Sequence, residues 1–377
     1  MARKRIIYQS EALFSGPSGG GNTVLQNGMP AIQLHRVQDI SHSVDVTRTD
    51  ILEFDRLAAL SREIIEAPTV GLDFTYYVVD GYNEASGLGL SVQGHGLTTP
   101  ESCLSGILKQ NSEKDIQSWY IATTPEGEDA AQGPGSECWA SGAGDKNVIA
   151  IGNGGLTSYS VEAAVGDIPS ASCSVEGANI LFHNSVANIP AHTIQQNGTV
   201  GGSGVNLTGC VTTGTLQAMA LRPGDVTLDF GSSRIDMGGA ILPGASNGTV
   251  SNVQSVSLEV PLSRTPLNRL GNAFSYARTI DTPITATLSV SAQLTDTQTG
   301  MLSDLICSEG SRDITIAMNT RCGTDTDARA FLITLKGASL DSQNMSSTIG
   351  DNKTVDLTFS VPVGQARDQG VFLSGKA

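Results

Sequence analysis

Apolar and polar positions alternate through VQDISHSVDVTRT, where Ile40, His42, Val44 and Val46 share one side. They do so again in VQSVSLEVPLSRT, 216 residues downstream, at Val256, Leu258, Val260 and Leu262. Such period-2 alternation predicts a strand with one buried face. The correspondence continues through Arg48 with Arg264 and Arg62 with Arg278, and closes at Pro68 and Pro283. A second alternating strand follows in each copy: Val70, Leu72, Phe74, Tyr76, Val78, and Ile284, Ala286, Leu288, Val290, Ala292, Leu294. Matching their faces requires slipping the prolines by one residue, which predicts a bulge or a one-residue loop change, because a slip inside a strand turns its apolar face outward.

The order of elements is also repeated. At a spacing of 198, Leu104, Ile107 and Leu108 meet Leu302, Leu305 and Ile306, each trio on one side of a short helix. Thr99-Pro100 supplies an N-cap and a first-turn proline for the first. At the same spacing EKDIQSWYIATT aligns with SRDITIAMNTRC as a strand, each followed by an acidic turn. At a spacing of 184, IGNGGLTSYSVEAAVGD aligns with LKGASLDSQNMSSTIGD. The strand beyond is clear at Val355, Leu357, Phe359, Val361 and Val363 and weaker at Ala171, Cys173 and Val175.

The chain therefore reads as a tandem duplication of one small α+β unit, with loop insertions of about 18 and 14 residues in the first copy. The expected division is residues 1–177, a first unit with an N-terminal arm; 178–219, a Gly-, Asn- and Thr-rich connecting excursion; and 220–377, a second unit.

Composition narrows the function classes. The 377 residues are 39% hydrophobic, only 5% aromatic, and contain 43 glycines, which suits β-rich units with many turns. A net charge of −15 opposes any general grip on nucleic acid, which needs clustered Lys and Arg. MARKRIIYQSEALFSG has no apolar signal region, and no stretch approaches a membrane helix, so synthesis and assembly in a cytoplasm are expected. On that expectation Asn197, Asn206, Asn247, Asn344 and Asn352 are polar loop residues rather than glycosylation sites. The six cysteines lack metal spacing and are expected to be reduced.

No catalytic, cofactor or metal site is expected. HExxH and P-loop patterns are absent, and no GxSxG elbow appears, since the strings GPSGG from Gly16 and GASNG from Gly244 stand in Gly-rich runs rather than at a strand-to-helix turn; the GPSGGGN run from Gly16 lacks the lysine of a phosphate loop and reads as flexible loop. His42 replaces Leu258 on the apolar face and is expected to be a partly buried, hydrogen-bonded core residue. The acidic turns at Glu126, Glu128 and Asp129 and at Asp325 and Asp327 lack calcium-loop spacing and read as solvated loops.

Strand, long loop, strand, helix, strand and closing pair, with SRTPLNRLG followed by Arg278 and IDTP, and the ending SSTIGDNKTVDLTFSVPVG, resemble the tail tube proteins of long-tailed bacteriophages. The resemblance covers about three-quarters of the chain, and the second copy matches better. It implies a mainly β (α+β) fold of two tail-tube-like β-sandwich or barrel domains, each with one flanking helix. It further implies a non-enzymatic virion protein that assembles into stacked rings with six domain positions. Two domains per chain then imply a homotrimer. Other tail proteins would meet the tube ends, and double-stranded DNA would pass the lumen without specific binding.

In that family the long loop helps one ring stack on the next. The resemblance thus makes Arg48, Arg62, Arg264, Arg278, Leu267 and Leu270 candidate ring-stacking or inter-subunit contacts. A flap folded over its own unit stays open beside this, as do a single neck or distal-tail ring and a capsid-decoration or adhesion module.

Overall fold

A computed structural model describes residues 11–17, 31–94, 101–108, 115–125, 130, 146–186, 188–195, 197–201, 204–205, 207, 221–230, 240–241, 249–250, 253–293, 296–297, 312–319, 329–347, 352–365 and 367–375. In chain order the strands of the first half are β1 (Glu11–Pro17), β2 (Ile32–Gln33), β3 (Val37–Asp45), β4 (Arg48–Ile51), β5 (Ser61–Ile64), β6 (Thr69–Tyr77), β7 (Val92–Gly94), β8 (Ile116–Thr123), β9 (Asn147–Ala164), β10 (Ser170–Gly177) and β11 (Asn179–His183). Then come β12 (Thr193–Ile194), β13 (Val200–Gly201), β14 (Val226–Asp229), β15 (Ala240–Ile241), β16 (Thr249–Val250), β17 (Val253–Pro261), β18 (Arg264–Leu267), β19 (Ala277–Ile280), β20 (Ile284–Gln293), β21 (Asp296–Thr297), β22 (Arg312–Asn319), β23 (Arg329–Ser346), β24 (Thr354–Val363) and β25 (Gly370–Gly375). The fold is mostly β, and seventeen strands share one hydrogen-bonded network.

One pairing scheme occurs twice. In the first half β3 pairs with β6, β6 with β10, β10 with β9, and β9 also with β8 and β11; β1 and β2 extend the β8 side. In the second half β17 pairs with β20, β20 with β24, β24 with β23, and β23 also with β22 and β25; β14 and β16 extend the β22 side. Register shifts also recur. Val37/Asp39 matches Val253/Ser255, and the break at Thr157 of β9 matches the one at Asp341 of β23. A bulge adds an unpaired residue that bends its strand, so repetition of the bulges repeats the shape as well as the order.

β9 and β23 are each 18 residues long, and each serves two layers. The first part of β9 lies between β8 and β11, and its second part pairs with β10. Gly154 and Gly155 stand at the crossing. A Cβ on Gly154 would lie 2.5 Å from Trp119, and one on Gly155 would lie 2.7 Å from Nε of Arg264. The main core joins β6, β9 and β10 to β17, β20 and β24, with Tyr159 and Val161 beside Leu258 and Val260.

Several expectations change. The strand after the helix matches at a spacing of 195 rather than 198: Trp119 faces Ile151, and its equivalent Ile314 faces Leu335. The N-terminal arm contains β1, so Gly16 and Pro17 end a strand rather than start a loop. Residues 179–183, placed in the connecting excursion, pair with β9 as β25 does with β23. Val186, Ile189 and Leu207 of that excursion pack on Phe14, Tyr120 and Ala150 in a second core. His42 is exposed, because no strand among the described residues covers its face of β3. The short helix is present at Ser105–Leu108, while its capping pair and the second-copy helix lie outside the described residues, as do the acidic turns.

One titratable group sits inside the first half. Glu84, on a π-helical turn at Asn83–Gly87, is buried and accepts hydrogen bonds from the hydroxyls of Tyr76 (2.8 Å) and Tyr159 (3.3 Å). Burial pushes its carboxyl up to about 7, outweighing the hydrogen bonds that favour the anion. A raised carboxyl favours the protonated fold. The benefit is complete below the ordinary value of 4.5 and is lost as pH rises through about 7. Thermal unfolding of the wild type should therefore show stability falling by on the order of 3 kcal/mol from this group between pH 4.5 and pH 8. Glu84→Gln should remove most of that slope, and an unchanged slope would exclude Glu84 as its source.

Candidate assembly surface

The two halves meet through a strand ladder. β17 pairs antiparallel with the second part of β9, on the edge that β8 leaves open, with Leu258 opposite Val161 and Val260 opposite Tyr159. Backbone bonds extend the ladder at both ends, from Val165 N–H to the Gln254 carbonyl and from Leu262 N–H to that of Thr157, each 2.8 Å. The result is an eight-stranded antiparallel sheet in the order β3, β6, β10, β9, β17, β20, β24, β23. β7 of the first half also adds parallel to β25 of the second.

Because strand side chains alternate, this sheet has one apolar face and one polar face. From β6 to β24 the apolar face is core. The polar face carries Ser and Thr at most positions: Ser41 and Ser43 on β3, Thr75 on β6, Ser172 and Ser174 on β10, Ser158 and Ser160 on β9, Ser255 and Ser257 on β17, Thr287 and Ser289 on β20, Thr358 and Ser360 on β24, Ser342 and Ser346 on β23. Its charged strand positions are Asp39, Asp45, Asp73, Glu162, Glu176, Glu259, Asp341 and Asp356, with no Lys or Arg among them. Most acids lie opposite hydroxyl or amide residues in neighbouring strands, as in Glu162 with Ser257, Glu259 with Ser160 and Asp356 with Asn344, and Glu176 lies opposite Gly71 and Gly155. That avoids like charges directly opposite one another while keeping one sign across the face.

The six candidate contact residues divide by copy. Arg264, at the base of the β18–β19 hairpin, is buried against the first half: Nε donates to the Leu156 carbonyl (2.9 Å) and Nη2 to Oδ1 of Asp115 (2.8 Å). Arg278 on the same hairpin donates from Nη1 to the Gly177 carbonyl (3.2 Å) and pairs with Glu176 (3.1 Å). Burial lowers the Arg278 guanidinium from its ordinary value, and the Glu176 carboxylate opposes this. The equivalent hairpin β4–β5 reaches nothing comparable: Arg48 is exposed, and Arg62 pairs with Asp50 of its own hairpin. Leu267 is half-buried and Leu270 fully exposed. The first hairpin's loop exposes Leu52, Phe54, Leu57 and Leu60.

Sequence inspection found these arginines but missed their partners, Asp115 and the small Gly155 that admits the guanidinium. The polar face was open to view in runs such as SVSLEV, SASCSVEG and TATLSVSAQ, where every second residue is small and polar. Among the described residues no cluster of His, Cys, Asp and Glu could hold a metal ion, and no helix is long and apolar enough to cross a membrane.

No protein-family model and no curated protein matches the chain. Among solved structures it is similar to a chain of an extracellular contractile injection system sheath–tube complex in its extended state, at 13% identity and a TM-score of 0.30, over 43% of this chain and 99% of that one. A chain of a native gene transfer agent virion matches at 9% identity and a TM-score of 0.25, over 41% and 97%. An Hcp protein matches at 10% identity and a TM-score of 0.22, over 40% and 98%.

The asymmetry between hairpins has a measurable consequence. Arg264→Ala leaves Asp115 and the Leu156 carbonyl without their donor and should lower stability in urea by about 3 kcal/mol. Arg48→Ala should change it by less than about 0.5 kcal/mol. Equal losses would contradict the assignment of Arg264 to the junction.

Proposed function

We propose that this chain is a structural virion protein, the repeating subunit of a phage tail tube, whose polar sheet face lines a conduit for DNA. The carrying observation is that face: an eight-stranded surface of hydroxyls and acids without a strand-borne base. A polyanion passing along it meets repulsion and weak neutral donors, and no array of cations from which it would have to be pulled.

In this reading the halves are two equivalent ring positions, the first unit running through β11, so three chains supply six positions. The exposed apolar loop of β4–β5 serves the contact with the next ring. Other tail proteins meet the tube ends, assembly takes place in the host cytoplasm, and no catalysis is involved. A decoration or adhesion module would be expected to gather aromatics on its surface. Among the described residues the exposed Phe54, Phe182 and Tyr276 lie on separate elements.

Negative-stain electron microscopy of the concentrated protein, with native mass spectrometry, tests this. Rings of three chains with an open channel, stacking into tubes, are expected. Monomers that never close, or rings of another number, would overturn it. A second test addresses the lining: Asp73→Lys, Glu162→Lys and Glu259→Lys together should create salt-sensitive binding of duplex DNA that the wild type lacks. If the assembled triple variant ignores DNA at low salt, the face does not border the channel.

A further inference from the structure

The β9–β17 ladder has an unused counterpart. β23 is the equivalent of β9, bulge included, and the outer edge of its 342–346 segment has no second strand among the described residues. β3 is the equivalent of β17 and, among the described residues, pairs only with β6. Its apolar side shows the missing cover: Val44 is 46% exposed and His42 is exposed, where Val260 and Leu258 are 1% and 0% exposed. Met345, the counterpart of Val161, is 43% exposed against 4%. Neither open edge carries a Lys or Pro, residues that commonly protect an edge from pairing.

These two edges terminate opposite ends of the eight-stranded sheet, with six strands between them, so the partner is a second copy. We infer that β3 of one copy pairs antiparallel with residues 342–346 of another in the register of the internal ladder. His42 then lies opposite Met345, Ser43 opposite Asn344, Val44 opposite Gln343, and Asp45 opposite Ser342. The sheet runs on from copy to copy with its polar face on one side, and no carboxylate in the described stretch faces another.

The contact is heterologous, so repetition closes a ring when the rotation allows it. It is also weaker than its internal template. His42 replaces Leu258 and Gln343 replaces Tyr159, while Ser339 occupies the position of Gly155, which blocks Arg48 from the place Arg264 takes. The internal junction is thus permanent and the external one separable. This rests on the proposed ring of copies, and adds to it the edges, the register and the ranking of the two junctions.

Paired cysteines test the register in the full chain. Ser43→Cys with Asn344→Cys, concentrated and mildly oxidised, should give disulfide-linked dimers and trimers on a non-reducing gel, since directly opposed Cβ atoms lie within about 5.5 Å. Asp45→Cys with Ser346→Cys, four residues out of register, should not. Equal linkage of both pairs, or linkage of neither, overturns the inference. Rings by microscopy without linkage at 43 and 344 would sink the junction and leave the tube reading intact. In-register linkage without rings or a channel would do the reverse.

A second variant needs no cysteine. His42→Leu restores the residue of the internal junction and should lower the concentration for half-assembly about tenfold, through the added apolar burial. No change, or weaker assembly, counts against burial of position 42 between copies.

Discussion

Backbone amides and carbonyls along a strand edge must be paired or hydrated, and this chain is organised around that requirement. The second part of β9 presents such an edge where β8 ends, and β17 fills it with a ladder from Val165 to Leu262. The two halves are thereby joined in one sheet. The same ladder brings Val256, Leu258 and Val260 into the core of the first half and sets the hairpin base where Arg264 reaches Leu156 and Asp115. With this pairing gone, the apolar side of β17 would be as open as that of β3.

The length of β9 and β23 follows from serving two layers in succession. A strand with different neighbours along its length has to bend between them, and each has its bulge there, at Thr157 and Asp341. In β9 the bend is crowded by Trp119 on one side and Arg264 on the other, which is why GNGG fits there. In β23 the equivalent stretch is KGAS, with Ala338 and Ser339 where β9 has Gly154 and Gly155. The divergence between copies thus tracks whether the junction beside each bend is internal or open.

Much of this was legible in the sequence because duplication prints the same period-2 pattern twice. Long strands with strong alternation, such as β17, β20 and β24, were identified with their faces correct. Short strands were not. β1 and β14 share only a sparse pattern in which Leu13 matches Leu228, and β11 matches β25 by its position against the long strand rather than by side-chain type. The three-residue error at β8 arose because its apolar residues fit two registers, and only pairing with β9 distinguishes them. His42 was misplaced for a deeper reason. Equivalence with Leu258 fixes which way it points, but not whether another element lies over it.

The polar face shows why net charge alone says little about a surface. The acids are spread over seven of the eight strands, most of them beside hydroxyl or amide neighbours, so repulsion among them is diluted while the field outward keeps one sign. Serine and threonine suit this arrangement because they satisfy water without adding charge, and their short side chains keep the surface even. Arginines are present in the molecule, but the two at the junction are turned to backbone carbonyls and to Asp115 and Glu176. The cations that hold the halves together are spent in the interface, and the sheet that the interface creates keeps its negative face.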